Sequence, residues 1–298
     1  MNIRDLTYLR AIARHKHFGK AAESCNVSQP TLSVQLKKLE MDLGVTLIER
    51  TKRAAMLTPI GVRVLELADE ALNAVENIRS ISAAASDPFS GQFRFGSIPT
   101  ISPFLVPDVL RRLGSSFPRL DLAFRENITE RLTEDLLNGD LDAAILATPP
   151  DTARLEAVPL YDEPLLVIHP IGHDLGDLDR LKISDLPLDQ IILLTEGHCF
   201  RDQTMELCNL KSGASLADTS VTSLETIISL VAAKQGISIV PSLAQKTGWL
   251  DRPHIGVKAL RSSGATRQLN LTFRKSSPHR HLLEAVTSEI SASLDSSF

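Results

Sequence analysis

Cysteine and long apolar runs are both scarce in this chain, and each shortage excludes a class of protein. Three cysteines in 298 residues are too few for a disulfide scaffold. In a reducing compartment they rest as thiols, so a disulfide here would be an event rather than a staple. No apolar run approaches the roughly 18 residues that span a bilayer, and Met1-Asn2-Ile3-Arg4-Asp5 opens on no signal-peptide core. The expectation is a cytoplasmic protein with no membrane partner. Aromatic residues are also few, 4% against 43% hydrophobic overall, yet the chain is long enough to build two or three domains.

What is present is unevenly distributed. Residues 1–64 carry eleven Lys and Arg against five Asp and Glu, a net of +6, which leaves −10 on the other 234 residues to give the overall −4. A basic module on an acidic body points to a nucleic-acid partner for the first part alone. Within it, Phe18 to Ser33 reads as a small-residue helix, a turn at Asn26, and a second helix capped by Ser28 with Pro30 in its first turn. That is the punctuation of a helix-turn-helix. Leu32, Leu36, Leu39 and Leu43 share one face and are expected inside. Thr31, Ser33, Val34, Lys37 and Lys38 are left outward, short polar groups for base edges and lysines for phosphate. Leu47 to Leu57 reads as a wing, two short apolar runs around a basic tip of Arg50, Lys52 and Arg53. Cys25, at the turn, is expected to be a packed thiol.

Thr58-Pro59 then starts a long helix to about Ala85. Leu65, Ala68, Leu72, Val75, Ile78 and Ile81 form an apolar stripe that a lone helix cannot bury, which predicts a homodimer through this helix. From Gly91 the pattern becomes α/β. Strand-like runs are Phe93 to Ile98, Leu120 to Arg125, Ala143 to Ala147, Leu165 to His169, Ile191 to Leu194, Ile237 to Val240 and Leu269 to Phe273. Helix-like stretches fall at about 102–116, 130–138, 201–211, 222–235 and 279–295. The domains expected are 1–58, a winged helix-turn-helix; 59–90, a linker helix and hinge; and 91–298, a two-lobed regulatory domain. Several strand-to-helix junctions carry polar residues: Ser97 with Thr100, Thr129, His198 with Cys199, and Ser220 with Thr222. Each of these also suits a helix cap.

The stretch from His198 to Cys208 holds the other two cysteines. Cys199 follows Gly197 and is expected at a helix N-terminus, where the helix dipole, His198 and Arg201 favour a thiolate. If residues 199–208 are helical, the two Cα atoms lie roughly 13 Å apart along the axis and on opposite faces. A disulfide needs Cα atoms within about 7 Å, so oxidation would be coupled to a change of shape. The residues alone leave other readings open. Both thiols can be packing groups, a cysteine hydrolase or peroxidase is conceivable although its base usually comes from elsewhere in the chain, and a zinc site would lack its fourth ligand. No cofactor or metal is expected.

The order of these parts resembles the LysR-type transcriptional regulators over essentially the full length, and within them the hydrogen-peroxide-sensing branch. Met1 to Leu6, Val27-Ser28-Gln29-Pro30-Thr31-Leu32-Ser33 and Ile98-Pro99-Thr100 carry the resemblance, and above all Gly197-His198-Cys199-Phe200-Arg201-Asp202-Gln203 followed by Cys208. The resemblance implies a winged helix-turn-helix, a linker helix and a two-lobed effector domain like a periplasmic binding protein. It implies that Cys199 is oxidised to a sulfenic acid and that Cys208 resolves it to a disulfide. Thr100, Thr129 and His198 match positions that hold peroxide, with Arg267 beside the pocket. Arg4, Gln29, Pro30, Thr31, Ser33, Lys37, Lys38, Arg50 and Arg53 are the expected contacts to promoter DNA. The family resemblance also implies a homotetramer that works with RNA polymerase at antioxidant genes in the bacterial cytoplasm, on the nucleoid when DNA-bound. It has no enzymatic turnover of its own. The competing expectation is a regulator of the same family that senses a small metabolite between its lobes.

Overall fold

A computed structural model describes residues 1–50, 55–84, 87–210, 221–262 and 264–295. Its contacts divide into two compact units, Met1–Ala83 and Ala84–Phe298.

In the first unit, α1 (Ile3–His15) starts at a capping box in which Asn2 and Asp5 satisfy each other's backbone N–H groups. The ring of His17 caps α2 (Phe18–Ser24), Asn26 turns the chain at a φ of 54°, and Ser28 caps α3 (Gln29–Leu43). Leu32, Leu36 and Leu39 are fully buried, as their spacing requires, but Leu43 is 37% exposed. It lies in the last turn, where α3 has run past the core and Gly44 ends it. The carboxylate of Glu40 accepts from the backbone of Leu47 and Ile48, at 2.8 and 3.1 Å, and so ties α3 to the wing. That wing is an antiparallel pair, β1 (Ile48–Arg50) with β2 (Ala55–Leu57). Thr58 accepts from Gly61 and donates to the Thr46 carbonyl, setting the start of α4 (Pro59–Ala84). A side chain at Gly61 would fall 2.2 Å from the Leu47 carbonyl oxygen, so this junction requires glycine. Of the expected stripe on α4, Ala68 and Leu72 are buried and Ile78 is 69% exposed, as is Leu67 at 66%. The side chain of Ile81 lies outside the described residues.

The second unit is α/β, with strand order β4-β3-β5-β9-β6-β7 and β8 added on β6. Its elements are β3 (Gly91–Ser97), α5 (Ser102–Ser116), β4 (Leu120–Glu126), α6 (Thr129–Asn138), β5 (Ala143–Leu146), β6 (Leu155–Pro170), α7 (Cys199–Leu207), α8 (Leu224–Ala232), β7 (Ser238–Pro241), α9 (Leu243–Lys246), β8 (Ile255–Ala259), β9 (Thr266–Arg274) and α10 (Arg280–Asp295). The strand β6 divides the unit into two lobes: residues 155–164 pair with β9 in the first lobe, and 165–170 pair with β7 and β8 in the second. The polarity pattern marked only its second half, because Pro159, Pro164 and the acidic pair between them interrupt the run. Ile191 to Leu194 makes isolated parallel bridges, to Ile237 and Val221, rather than the expected strand. The helix expected at about 201–211 starts earlier and ends sooner, at Cys199 and Leu207.

Candidate redox site and nucleic-acid interface

The first unit presents Arg4, Gln29, Pro30, Thr31, Lys37 and Lys38 to solvent, with Ser33 half-buried. All but Arg4 lie on α3, whose Leu32, Leu36 and Leu39 are buried. The Thr31 hydroxyl lies 2.8 Å from that of Ser28 and takes part in the cap, so a base contact by Thr31 shares a group with the helix start. Lys52, Arg53 and the side chain of Arg50 lie outside the described residues. Cys25 is half-buried and packs against the first unit's core, with its sulfur 3.9 Å from the Ser24 hydroxyl.

In the second unit a narrow cleft is lined by Ile98, Pro99, Thr100, Ile128, Thr129, Gly197, His198, Cys199 and Phe200. Three junctions meet there: the one after β3, the one before α6 and the one before α7. Its empty space is about 180 Å³.

Gly197 turns the chain at a φ of 91°, a conformation that favours glycine, and His198 occupies the N-cap of α7 without capping it through its ring. Cys199 is the first residue of that helix. Burial lowers the His198 imidazole from its ordinary value, so it is neutral at pH 7. Burial thus weakens the positive charge that the sequence suggested beside Cys199. Thr129 opens α6, yet its hydroxyl is buried and has no hydrogen-bond partner among the described residues. A buried hydroxyl without a partner is costly, and this one stands in the wall of the cleft. Ser97, at the end of β3, has a buried hydroxyl in the same condition. Of the other junction residues, Thr222 is exposed and the cap of α8 is made by Ser223; Ser220 lies outside the described residues.

Arg267 does not line the cleft but stands behind it. Its guanidinium donates to the Thr100 hydroxyl at 2.8 Å and carbonyl at 3.0 Å, packs over the Phe200 ring at 4.9 Å and is neutralised by Glu163 at 2.7 Å. Sequence reasoning missed Glu163, since in Asp162-Glu163-Pro164 it looks like one of two surface acids. Its one signal is its place opposite Arg267 in the β6–β9 register, which the sequence does not display.

Cys208 closes α7 as its C-cap and is buried. The helical condition on the cysteine pair is met, so the two Cα atoms are separated by roughly 13 Å of helix axis. Burial pushes the Cys208 thiol up to about 11, so it is protonated at neutral pH and a poor nucleophile in this arrangement. Three contacts hold α7 in place: Arg201 donates to the Leu194 carbonyl at 2.9 Å, Gln203 donates to the Ala147 carbonyl at 2.6 Å, and Phe200 lies buried under Arg267. Among the described residues no three His, Cys, Asp or Glu side chains gather as a metal site would require. No described helix is long and apolar enough to cross a membrane.

A helix-turn-helix unit followed by a two-lobed α/β unit defines a bacterial regulator of LysR type. Residues 3–62 match the lysR family of bacterial regulatory helix-turn-helix proteins and residues 86–295 match the LysR substrate binding domain; the chain belongs to the LysR family. Relatives within that family include OxyR proteins and hydrogen peroxide-inducible genes activators. The DNA-binding transcriptional dual regulator OxyR of Escherichia coli K12 is 38% identical over 302 residues, covering 100% of this chain and 97% of the relative. Full-length OxyR from Pseudomonas aeruginosa, solved as a cysteine-to-aspartate mutant, superposes with a TM-score of 0.78 at 35% identity, covering 97% of this chain and 94% of that one. A peroxide-bound cysteine-to-serine mutant of Corynebacterium glutamicum OxyR gives a TM-score of 0.67 at 31% identity, covering 99% and 93%. These relatives are regulators, not enzymes, in line with a chain that turns over no substrate.

Proposed function

We propose that this LysR-family regulator senses hydrogen peroxide through Cys199 and Cys208 and controls antioxidant genes. The observation that carries the reading is the cleft itself. It places Cys199 at a helix start beside a neutral His198 and the unpartnered Thr129 hydroxyl, with a second, protonated thiol buried at the far end of the same helix. The peroxide-bound relative supports the choice of ligand.

The Cys199 thiolate attacks one peroxide oxygen; an S–O bond forms, the O–O bond breaks, and the other oxygen leaves as hydroxide. Thr100, Thr129 and His198 bind and orient the peroxide and stabilise the departing hydroxide, which leaves to solvent and is protonated there by the buffer. The Cys199 sulfenic acid then meets the Cys208 sulfur: the S–S bond forms and the sulfenic oxygen leaves as water. This second step needs α7 to unwind or move. Rearrangement brings the sulfurs within bonding range, and it takes Cys208 out of the apolar surroundings that keep it protonated. The new position of α7 shifts subunit packing and the spacing of the DNA modules.

The domains in this reading are 1–58 for DNA, 59–90 for dimerisation and 91–298 for sensing. The working form is a homodimer through α4 and a homotetramer on promoter DNA with RNA polymerase, in the cytoplasm. Arg4, Gln29, Pro30, Thr31, Ser33, Lys37, Lys38, Arg50 and Arg53 meet the DNA. The test is Cys208→Ser in a promoter-reporter strain and in a footprint of purified protein. Loss of the peroxide-induced change in both is expected; an unchanged response would sink the switch.

A further inference from the structure

We propose that Glu163, which lies outside the cleft, is a positioning residue for the peroxide step, acting through Arg267 on Thr100; this rests on the peroxide-sensing reading above. Glu163 and Arg267 face each other across β6 and β9, and their side chains are 0% and 1% exposed. One carboxylate oxygen of Glu163 accepts from Arg267 Nε at 2.7 Å. The other accepts from the backbone N–H of Leu243, the first residue of α9, at 2.8 Å. Glu163 is therefore clamped between a helix start and the guanidinium, and it fixes the rotation of the guanidinium plane.

The consequence reaches the cleft through a hydroxyl. Thr100 has one O–H and two lone pairs, and Arg267 Nη1 already donates to its oxygen while Nη2 holds its carbonyl. The Thr100 proton makes no other hydrogen bond among the described residues, and Thr100 lines the cleft. With a lone pair occupied by Arg267, the hydroxyl serves the cleft as a donor. A donor is what the departing peroxide oxygen needs as it gains negative charge. Glu163 sets this polarity without touching the ligand. The same guanidinium lies over the ring of Phe200, the neighbour of Cys199.

Glu163→Gln breaks the clamp in a defined way. A carboxamide has one oxygen where the carboxylate has two, so it cannot serve both Leu243 N–H and Arg267 Nε, and its NH₂ must face one of those donors. The experiment follows Cys199 oxidation by peroxide in stopped flow, with quench and mass spectrometry, for the full-length protein, Glu163→Gln, Thr100→Val and the double variant. Alkylation of Cys199 by iodoacetamide is measured in parallel. The expected result is a peroxide rate lowered about tenfold to a hundredfold in Glu163→Gln, the range for a misplaced reacting group. Little further loss should follow when Thr100→Val is added, and the alkylation rate should stay within about twofold, since that reagent needs no oriented donor. A peroxide rate equal to wild type, losses that multiply in the double variant, or alkylation that changes in step with oxidation would overturn the proposal. If Glu163→Gln does not fold, Glu163→Asp keeps both oxygens on a shorter arm and takes its place. A smaller loss that is again not additive with Thr100→Val supports the clamp, and an additive or absent loss overturns it. If wild-type Cys199 is not oxidised at all, the parent reading fails and this proposal with it, whereas a failure confined to the variants leaves the parent reading standing.

Discussion

The cleft residues differ in what holds them, and the differences are measurable one side chain at a time. Thr129 has a buried hydroxyl with no partner among the described residues, a feature that packing alone does not favour. Thr129→Val is expected to leave the thermal stability of the reduced protein unchanged or raise it by about 1 kcal/mol, because a group that costs about 1–3 kcal/mol when unpaired is removed. The same variant should slow Cys199 oxidation; a large loss of stability would show that the hydroxyl has an internal partner instead. Cys208 makes a second prediction. Its thiol is raised to about 11 by burial, so between the ordinary value near 9 and about 11 the folded protein holds a proton that the unfolded chain has released. Stability is then full below pH 9 and falls as pH rises toward 11. Denaturant melts of the reduced protein across that range, compared with Cys208→Ala, should show the extra slope only when the thiol is present. Among these residues the sequence displayed the types but not the environments. Cys199 and Cys208 stood out by scarcity and spacing, while the neutrality of His198 and the empty hydroxyl of Thr129 depend on burial by distant segments. Glu163 was invisible, because nothing local distinguishes a buried acid from the exposed one beside it.

Elements that carry their own period and caps were legible, and those defined by pairing were not. The leucines of α3 announced a helix with one buried face, and Ser28 and Pro30 marked its start; only Leu43 departed, at a helix end where the core stops. The opposite case is β6, whose first half hides behind two prolines because its partner β9 lies about a hundred residues away in sequence. In the proposed switch, α7 is the element whose position must change. Gln203 and Arg201 fasten it to the Ala147 and Leu194 carbonyls, and each such bond contributes about 1 kcal/mol. Gln203→Ala should therefore destabilise the reduced form by about that amount and speed disulfide closure after sulfenic-acid formation, because less must be broken for α7 to move. Rapid quench with alkylation separates the two steps; closure no faster than in wild type would mean that this bond does not restrain the helix.

For the whole molecule, the proposed function divides chemistry and DNA reading between the two units. The basic, capped helices of the first unit face solvent with short polar and lysine side chains, and the second unit holds the cysteine cleft between its lobes. The division was visible in the charge asymmetry and in the change from helical punctuation to alternating strand and helix. That a helix would hold the cysteine pair apart was legible in the spacing; what the sequence could not display is that burial raises the thiol of its second member. In the proposed mechanism peroxide acts once, at Cys199, and its mark is passed to Cys208. The most direct measurement is intact-protein and peptide mass spectrometry after a brief, near-stoichiometric dose of peroxide, on the reduced protein and on Cys208→Ser. The account predicts loss of two hydrogens mapped to a Cys199–Cys208 link in the first and a trapped sulfenic acid at Cys199 in the second. Cysteines left unmodified at that dose, in both proteins, would contradict it and make them packing thiols.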